Sequence, residues 1–291
     1  MASRNRLKIC YRLTKPGIVY GNAITAIAGF LLASKGSVDL GLLAATVGGL
    51  SLVVASACVF NNYIDRGLDQ RMDRTKKRAL AVGSLRPKVA IAYATTLGVA
   101  GFALLAIFTN WLSFFIALTA FIFYVVFYGI AKRRSVHGTL VGSLPGAAPP
   151  VIGYCAVTGQ LDGGALLLFL IMVFWQMPHF YAIAMYRFAD YKAAGLPVLP
   201  VKRGFAETKI QILLYISAFI VALCGLTIFG YTGYAYLVVA GLVGLAWLAL
   251  GIKGYRAIND KLWARQMFLF SLLVTLVVSV MISANSLLVK L

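Results

Sequence analysis

The sequence predicts an all-α fold: a polytopic membrane bundle of nine transmembrane helices, with the N-terminus in the cytoplasm and the C-terminus outside. Three observations predict it. The chain of 291 residues is 61% hydrophobic and only 12% charged, and its mean hydropathy of +0.88 leaves too little polar surface for a soluble domain of this size. Nine apolar runs can be drawn, each long enough to cross a bilayer. Lys and Arg sit in short clusters between them, and all but Lys35 and Lys290 share one side when the N-terminus is placed inside, the asymmetry that the positive-inside rule counts. The formal charge of +19 is thereby assigned to lipid headgroups and an anionic substrate, and not to nucleic acid.

Taken in order, the runs cover about 18–34, 43–64, 89–108, 111–130, 139–157, 165–187, 209–229, 233–250 and 265–288. The basic start (Arg4, Arg6, Lys8, Arg12, Lys15) before the first run imitates a signal peptide, but no cleavage site follows, so it reads as an uncleaved first span. No soluble domain fits between the runs. Cys10, Cys58, Cys155 and Cys224 are isolated in sequence, which indicates neither a zinc site nor a disulfide framework. Spans 1–4 and 5–8 suggest two related four-helix units, with a ninth helix added, because the second and sixth spans both run inward, end in acid and lead into a basic loop.

The most informative stretch closes the second span. Residues 61–78 hold three of only eight acidic residues. Asn61, Asp65, Asp69 and Asp73 recur every fourth position, so a continuous helix would carry them as one curved polar stripe. Such a stripe suits magnesium, which takes oxygen ligands and is shared between one or two carboxylates and a substrate's phosphates. Arg71, Arg74, Lys76, Lys77 and Arg78 follow at once, and they supply the positive charge that a departing diphosphate needs. Snorkelling into the headgroups would explain these bases but not the acids, since carboxylates at a membrane edge are costly and usually functional.

The sixth span ends in Asp190, with Lys192, Lys202 and Arg203 beyond it. If the two units face each other, Asp65, Asp69 and Asp190 meet at one cavity on the cytoplasmic side and bind a metal–diphosphate pair between them. The fourth span carries Phe121, Phe123, Tyr124, Phe127 and Tyr128. These rings either pack against lipid or, for Tyr124 and Tyr128 one turn apart, line an apolar tunnel and stabilise a carbocation through their faces. Gly142, Pro145, Gly146, Pro149 and Pro150 make the fifth span rich in helix breakers, as expected where a helix borders a chamber. Of the two histidines, His137 reads as a surface residue. His179 lies inside a hydrophobic span, where it either hydrogen-bonds a neighbouring helix or ligates haem iron as neutral imidazole.

Asn61-Asn62-x-x-Asp65-x-x-x-Asp69 occurs with Thr14-Lys15-Pro16-Gly17, Gly146-Ala147-Ala148-Pro149-Pro150, Trp175-Gln176-Met177-Pro178-His179 and Asp190-Tyr191-Lys192-Ala193-Ala194-Gly195. By these segments the chain resembles the protoheme IX farnesyltransferase (haem O synthase) family, a branch of the 4-hydroxybenzoate polyprenyltransferase superfamily of intramembrane prenyltransferases. The resemblance spans nearly the whole chain. It implies one integral-membrane prenyltransferase domain over 1–291, in a bacterial inner membrane, with its active site toward the cytoplasm. It also implies magnesium-dependent transfer of farnesyl from farnesyl diphosphate to a vinyl group of haem B, with addition of water, giving haem O for terminal oxidase assembly. Haem A synthase or terminal oxidase subunits are candidate partners, beside membrane lipids.

Carried over by motif, Asn61, Asp65 and Asp69 are the first metal–diphosphate site and Asp190 is part of the second. With these carboxylates, Arg78 and Lys192 are the expected catalytic groups. Asn61, Asn62, Lys76, Lys77, Lys202, Arg203, Tyr124, Tyr128 and His179 are the expected substrate contacts. Two departures matter. Asn62 stands where much of the superfamily has Asp, and Ala194 where a further acid is common, so Lys192, Lys202 or Arg203 is expected to neutralise phosphate directly. Two other functions stay open: a prenyltransferase with a quinone- or chlorophyll-type acceptor, and a secondary transporter for an anionic solute. The transporter would place its charges near the bilayer midplane, whereas here the acids crowd the helix ends.

Overall fold

The computed structural model describes residues 2–288, and side chains over 7–285. Lys290 lies outside the described residues, as do the side chains of Arg4 and Arg6. The described chain is all helical apart from turns and short connections. Helix α1 (Ala2–Leu13) precedes the first span, where the sequence reading has only a charged tail. Nine helical segments long and apolar enough to cross a membrane follow among the described residues, one for each run read from the sequence.

The first three spans are α2 (Pro16–Ser34), α3 (Leu40–Ile64) with the short α4 (Arg66–Asp69) at its end, and α5 (Pro87–Phe108). The fourth joins α6 (Trp111–Ile122), a π-helical turn at Phe123–Phe127 and α7 (Tyr128–Arg134). The breaker-rich fifth span is two helices, α8 (Gly138–Gly146) and α9 (Ala148–Thr158), parted at Ala147. The sixth is α10 (Gly163–Tyr186), continued by α11 (Phe188–Ala193). The last three are α12 (Leu199–Ile228), α13 (Tyr234–Lys253) and α14 (Asp260–Leu288). Helix α12 starts ten residues before the expected boundary because Leu199–Arg203 forms a helical turn of its own. Gly204 joins that turn to the span at φ 80°, a conformation that costs glycine little and other residues much.

Two of the buried clusters build the body of the bundle. One gathers side chains mainly of α9, α10, α12, α13 and α14, around Trp247, Tyr236 and Phe219. The other gathers α2, α3, α5, α6 and α9 around Leu50, Leu105 and Ile152. They meet where α2 lies along α9. That approach is backbone on backbone: a methyl on Gly29 would sit 2.0 Å from the Pro150 carbonyl oxygen, and one on Gly153 would sit 2.1 Å from that of Ala26. Small residues let membrane helices touch this closely, which lipid-facing apolar surface alone does not achieve.

The two ends of the bundle differ. At one end the connections are short and their polar groups cap helices. Asp39 accepts from the Leu42 N–H, Asn110 from that of Ser113, and Asp162 from those of Gly164 and Ala165. At the other end lie the longer segments 65–86 and 187–198, with the basic clusters. Gln70 Nε2 donates to the Ala81 carbonyl at 2.8 Å and Thr75 Oγ1 to that of Asp69 at 3.0 Å, folding segment 65–86 back over the end of α3.

Candidate active site

Helix α3 ends at Ile64 and Asp65 is its C-cap, at φ −88° and ψ 0°. The helical course survives one turn more, because the Asp65 N–H reaches the Asn61 carbonyl at 2.9 Å and the Asp69 N–H that of Asp65 at 2.8 Å. Asn61, Asp65 and Asp69 therefore share the spacing read from the sequence. Asp73 does not: the chain has left the helix, and its exposed carboxylate pairs with Lys76 at 2.6 Å. The four-residue stripe is corrected to three. The Lys76 hydrogen bond holds the Asp73 carboxyl below its usual range and raises the Lys76 ammonium.

Each of the three polar side chains meets a base, from the following loop for Asp69 and from other helices or their ends for Asn61 and Asp65. Arg78 grips both oxygens of the buried Asp69 carboxylate through Nη1, at 2.9 Å each. Lys132, on α7, pairs with Asp65, and Arg133 Nη2 lies 3.2 Å from the other oxygen of the same carboxylate. Lys15 Nζ donates to Asn61 Oδ1 at 2.7 Å. Four bases thus stand against two carboxylates. Lys15 reaches its position from a left-handed backbone, φ 52° and ψ 67°, immediately before Pro16. For a side-chain-bearing residue that conformation costs about 1 to 3 kcal/mol and persists where the surroundings impose it. Burial lowers the Lys15 ammonium to about 8, with Arg78 and Lys132 pushing the same way.

Lys15, Lys132 and Arg133 were not expected at the site. Thr14-Lys15-Pro16-Gly17 was the signal for the first, and the basic cluster closing span four for the others. Asn62 takes a different part from that expected. Neighbouring residues on a helix point about 100° apart, and its Nδ2 donates to the Leu13 carbonyl at 2.8 Å, two residues before Lys15. The buried Asn62 Oδ1 has no hydrogen-bond partner among the described residues.

Tyr124, Tyr128 and Lys132 line one face of the fourth span. The two rings stack at 5.6 Å and the Lys132 ammonium lies 4.9 Å over the Tyr128 ring. The π-helical turn at Phe123–Phe127, whose extra residue shifts the register of α7, places them there. Phe60, Phe121 and Phe102 form edge-to-face contacts beside them.

The second acidic motif meets the first, though by another route than expected. Asp190 Oδ1 accepts from the Asp73 backbone N–H at 3.0 Å, and Met72, Ala194 and Leu196 pack together beneath that contact. Among the described residues no three Asp, Glu, His or Cys side chains converge as a ready-made metal cage. The bases of the second motif face elsewhere. Lys192 lies 5.9 Å over the Phe188 ring, Arg203 pairs with Glu207 at 2.7 Å, and Lys202 is exposed, as is Lys77. His137 is exposed, as read. His179 is buried and hydrogen-bonded to Ser271 on α14.

This geometry, a helix end with one buried and one nearly buried carboxylate and an excess of bases, can be set beside known proteins. The UbiA prenyltransferase family model matches residues 22–273. The chain belongs to the UbiA prenyltransferase family. It is 55% identical over 280 residues to the protoheme IX farnesyltransferase of Yersinia pseudotuberculosis serotype O:1b (strain IP 31758), covering 96% of this chain and 95% of that one. The protein of that name from Sodalis glossinidius is 55% identical over 281 residues, with the same coverage. Among solved structures, a digeranylgeranylglyceryl phosphate synthase superposes with a TM-score of 0.80 at 18% identity, over 99% of this chain and 100% of that one. A UbiA homologue from Archaeoglobus fulgidus bound to GPP and Mg2+ gives 0.66 at 14% identity, over 95% of this chain and 99% of the other. These likenesses show the fold, and with it an integral membrane protein of this family.

Proposed function

We propose that this UbiA-family protein is a protoheme IX farnesyltransferase, moving farnesyl from farnesyl diphosphate to a vinyl group of haem B with addition of water. The observation that carries the site assignment is the buried pairing of Asp65 and Asp69 with Lys132, Arg133 and Arg78 at one helix end. Relatives of that name at 55% identity over nearly the whole chain carry the choice of substrates. The donors at the helix end, two carboxylates and the Asn61 amide oxygen, are all hard oxygens and fit magnesium, which a soft or imidazole-rich set would not. Asn61, Asp65 and Asp69 would hold it. Bound with the diphosphate, magnesium supplies charge neutralisation to the leaving oxygen.

The chain's own groups do the rest. Lys15, Arg78, Lys132 and Arg133 outnumber the carboxylates they neutralise, so the site has positive charge left for a diphosphate. As the allylic C–O bond breaks, both electrons leave with the diphosphate, and these bases hold the anion in place. The stacked Tyr124 and Tyr128 present ring faces, and Tyr128 already carries the Lys132 cation above it, the contact by which a farnesyl cation would be steadied. The vinyl group is a weak nucleophile, so holding it against the farnesyl carbon is the main further contribution open to the protein. A carbon–carbon bond forms, the cation passes to the carbon beside the porphyrin, and water adds there and loses a proton.

In this reading residues 1–291 form one catalytic domain of the bacterial inner membrane, with the site at the cytoplasmic face, as the one-sided placing of nearly all Lys and Arg supports. Haem A synthase or terminal oxidase subunits would receive the product. Purified protein given haem B, farnesyl diphosphate and magnesium should yield a haem heavier by a farnesyl and a hydroxyl group, read by mass, and a chelator should stop it. Haem recovered unchanged while a quinone precursor gains the prenyl chain would overturn the acceptor.

A further inference from the structure

Ser271 and His179 form a buried pair that the diphosphate site does not use. They join α10 to α14. His179 Nδ1 lies 2.6 Å from Ser271 Oγ, and Ser271 Oγ lies 2.6 Å from the Phe268 carbonyl oxygen on its own helix. A carbonyl only accepts, so two oxygens this close need the hydroxyl proton between them. Serine has one such proton. Having given it to Phe268, Ser271 Oγ can only accept from His179, which makes Nδ1 the protonated nitrogen and leaves Nε2 with a lone pair.

The rest of the cradle is as definite. Trp175, one turn before His179 on α10, donates Nε1–H to the Ser271 carbonyl at 2.8 Å, and its ring stacks on the imidazole at 4.8 Å and 24°. Phe268 closes another side at 5.2 Å. Ser271 is fully buried and His179 is 8% exposed; no hydrogen bond to Nε2 occurs among the described residues, and Nε2 is not one of their fully buried unpaired atoms. A hydrogen bond to one ring nitrogen, fixing the tautomer that offers the other, is the arrangement of metal-binding histidines.

We propose that Ser271 is a positioning residue, holding His179 as the Nδ1–H tautomer so that Nε2 is offered to the iron of the porphyrin substrate. The inference rests on the haem-farnesylating reading and adds to it which nitrogen is used and which residue dictates it.

Two substitutions separate this from a helix pin. His179→Asn keeps an N–H donor where Nδ1 stands, and with it the bond to Ser271, but removes the Nε2 lone pair. Ser271→Ala removes the acceptor, whereas Ser271→Thr keeps the hydroxyl. Nitrogen-15 spectra of labelled full-length protein in lipid nanodiscs, without haem, should show His179 as Nδ1–H in the wild type and a tautomer mixture in Ser271→Ala. Haem B titrations should show the Soret band of a histidine-ligated iron in wild type and Ser271→Thr. Binding should be about tenfold weaker in Ser271→Ala, and the band should be shifted in His179→Asn at unchanged melting temperature. An Nε2–H tautomer in the wild type, or a wild-type haem spectrum in folded His179→Asn, would overturn the proposal. Product formation by the wild type is read on the same preparation, so loss of the farnesylation reading registers separately from loss of the Ser271 role.

Discussion

The two ends of the bundle both place aspartates at helix termini, and they use them in opposite ways. At the sparsely charged end Asp39 and Asp162 precede α3 and α10 and accept backbone N–H groups of the helix they begin. There the helix dipole and the cap geometry both favour a negative charge. At the basic end Asp65 and Asp69 follow α3, where the dipole's negative pole disfavours them, and both are buried or nearly so. They are held instead by Arg78, from the loop that follows, and by Lys132 and Arg133, brought from another span. Asp39 and Asp162 sit where local structure would choose an acid. Asp65 and Asp69 sit where local structure would reject one, and that is where function is to be sought.

The largest expected effect breaks the comparison at the basic end. Asp65→Asn and Asp69→Asn should each lower kcat by about 100- to 1000-fold, the scale of losing one group that stabilises a leaving anion. The folded protein should still extract and elute as wild type. Full turnover of Asp65→Asn at saturating magnesium would mean that the carboxylate is only a partner for Lys132 and Arg133. Lys132→Met comes next. It leaves Asp65 with Arg133 alone and removes one of the four bases. Loss of a buried pair member costs about 3 to 5 kcal/mol where no second partner remains. With Arg133 present, the effect should appear as a roughly tenfold to hundredfold fall in kcat/KM for farnesyl diphosphate.

Lys15 sharpens the comparison through pH. Its ammonium is lowered by burial to about 8, so the free protein loses that charge as pH rises through 8, and an anionic substrate should lose affinity. The KM for farnesyl diphosphate should climb several-fold between pH 7 and 9, and Lys15→Arg, which stays charged throughout, should flatten that climb. The linkage to stability has the opposite sign. The unfolded chain binds this proton up to about pH 10.4 and the folded chain only to about 8, so this group's contribution to stability rises with pH between them. A KM that fell as pH rose would exclude Lys15 from the diphosphate site. At the capped end, Asp162→Ala should leave kcat alone and cost about 1 kcal/mol of stability, seen as a lower melting temperature.

Most of the fold was legible because apolar length and basic clustering are read directly against bilayer thickness. Span boundaries moved by a few residues at most of the helix ends, and furthest at the start of α12, where the left-handed φ of Gly204 adds a turn that composition does not mark. The site was half legible. Asn61, Asp65 and Asp69 could be found by spacing, because one helix supplies them. Lys15, Lys132 and Arg133 could not, since they arrive from three-dimensional packing: a strained turn before Pro16, and a π-helical turn that redirects α7. The orientation of Ser271 toward His179, 92 residues away, had no sequence signal at all.

Asp73 tests whether burial, and not merely the end of the bundle, sets these acids apart. It shares the four-residue spacing and the basic surroundings of Asp65 and Asp69, and a continuous helix would have made it their equal. The end of α3 at Ile64 removes it from that face. Its carboxylate is 85% exposed, and its partner is Lys76, three residues on, an arrangement that solvent screens and that contributes little. Its tie to the second motif runs through its backbone N–H to Asp190, which a side-chain change leaves in place. Asp73→Asn should therefore keep kcat and KM within about twofold of wild type, the smallest effect of the series, while Asp190→Ala, which removes the acceptor, should loosen the contact between segments 65–86 and 187–198. That loosening would be read as faster proteolysis of both. If Asp73→Asn instead proved as damaging as Asp65→Asn, the stripe would extend through all four positions when substrate is bound, and the break after Ile64 would belong to the empty protein alone.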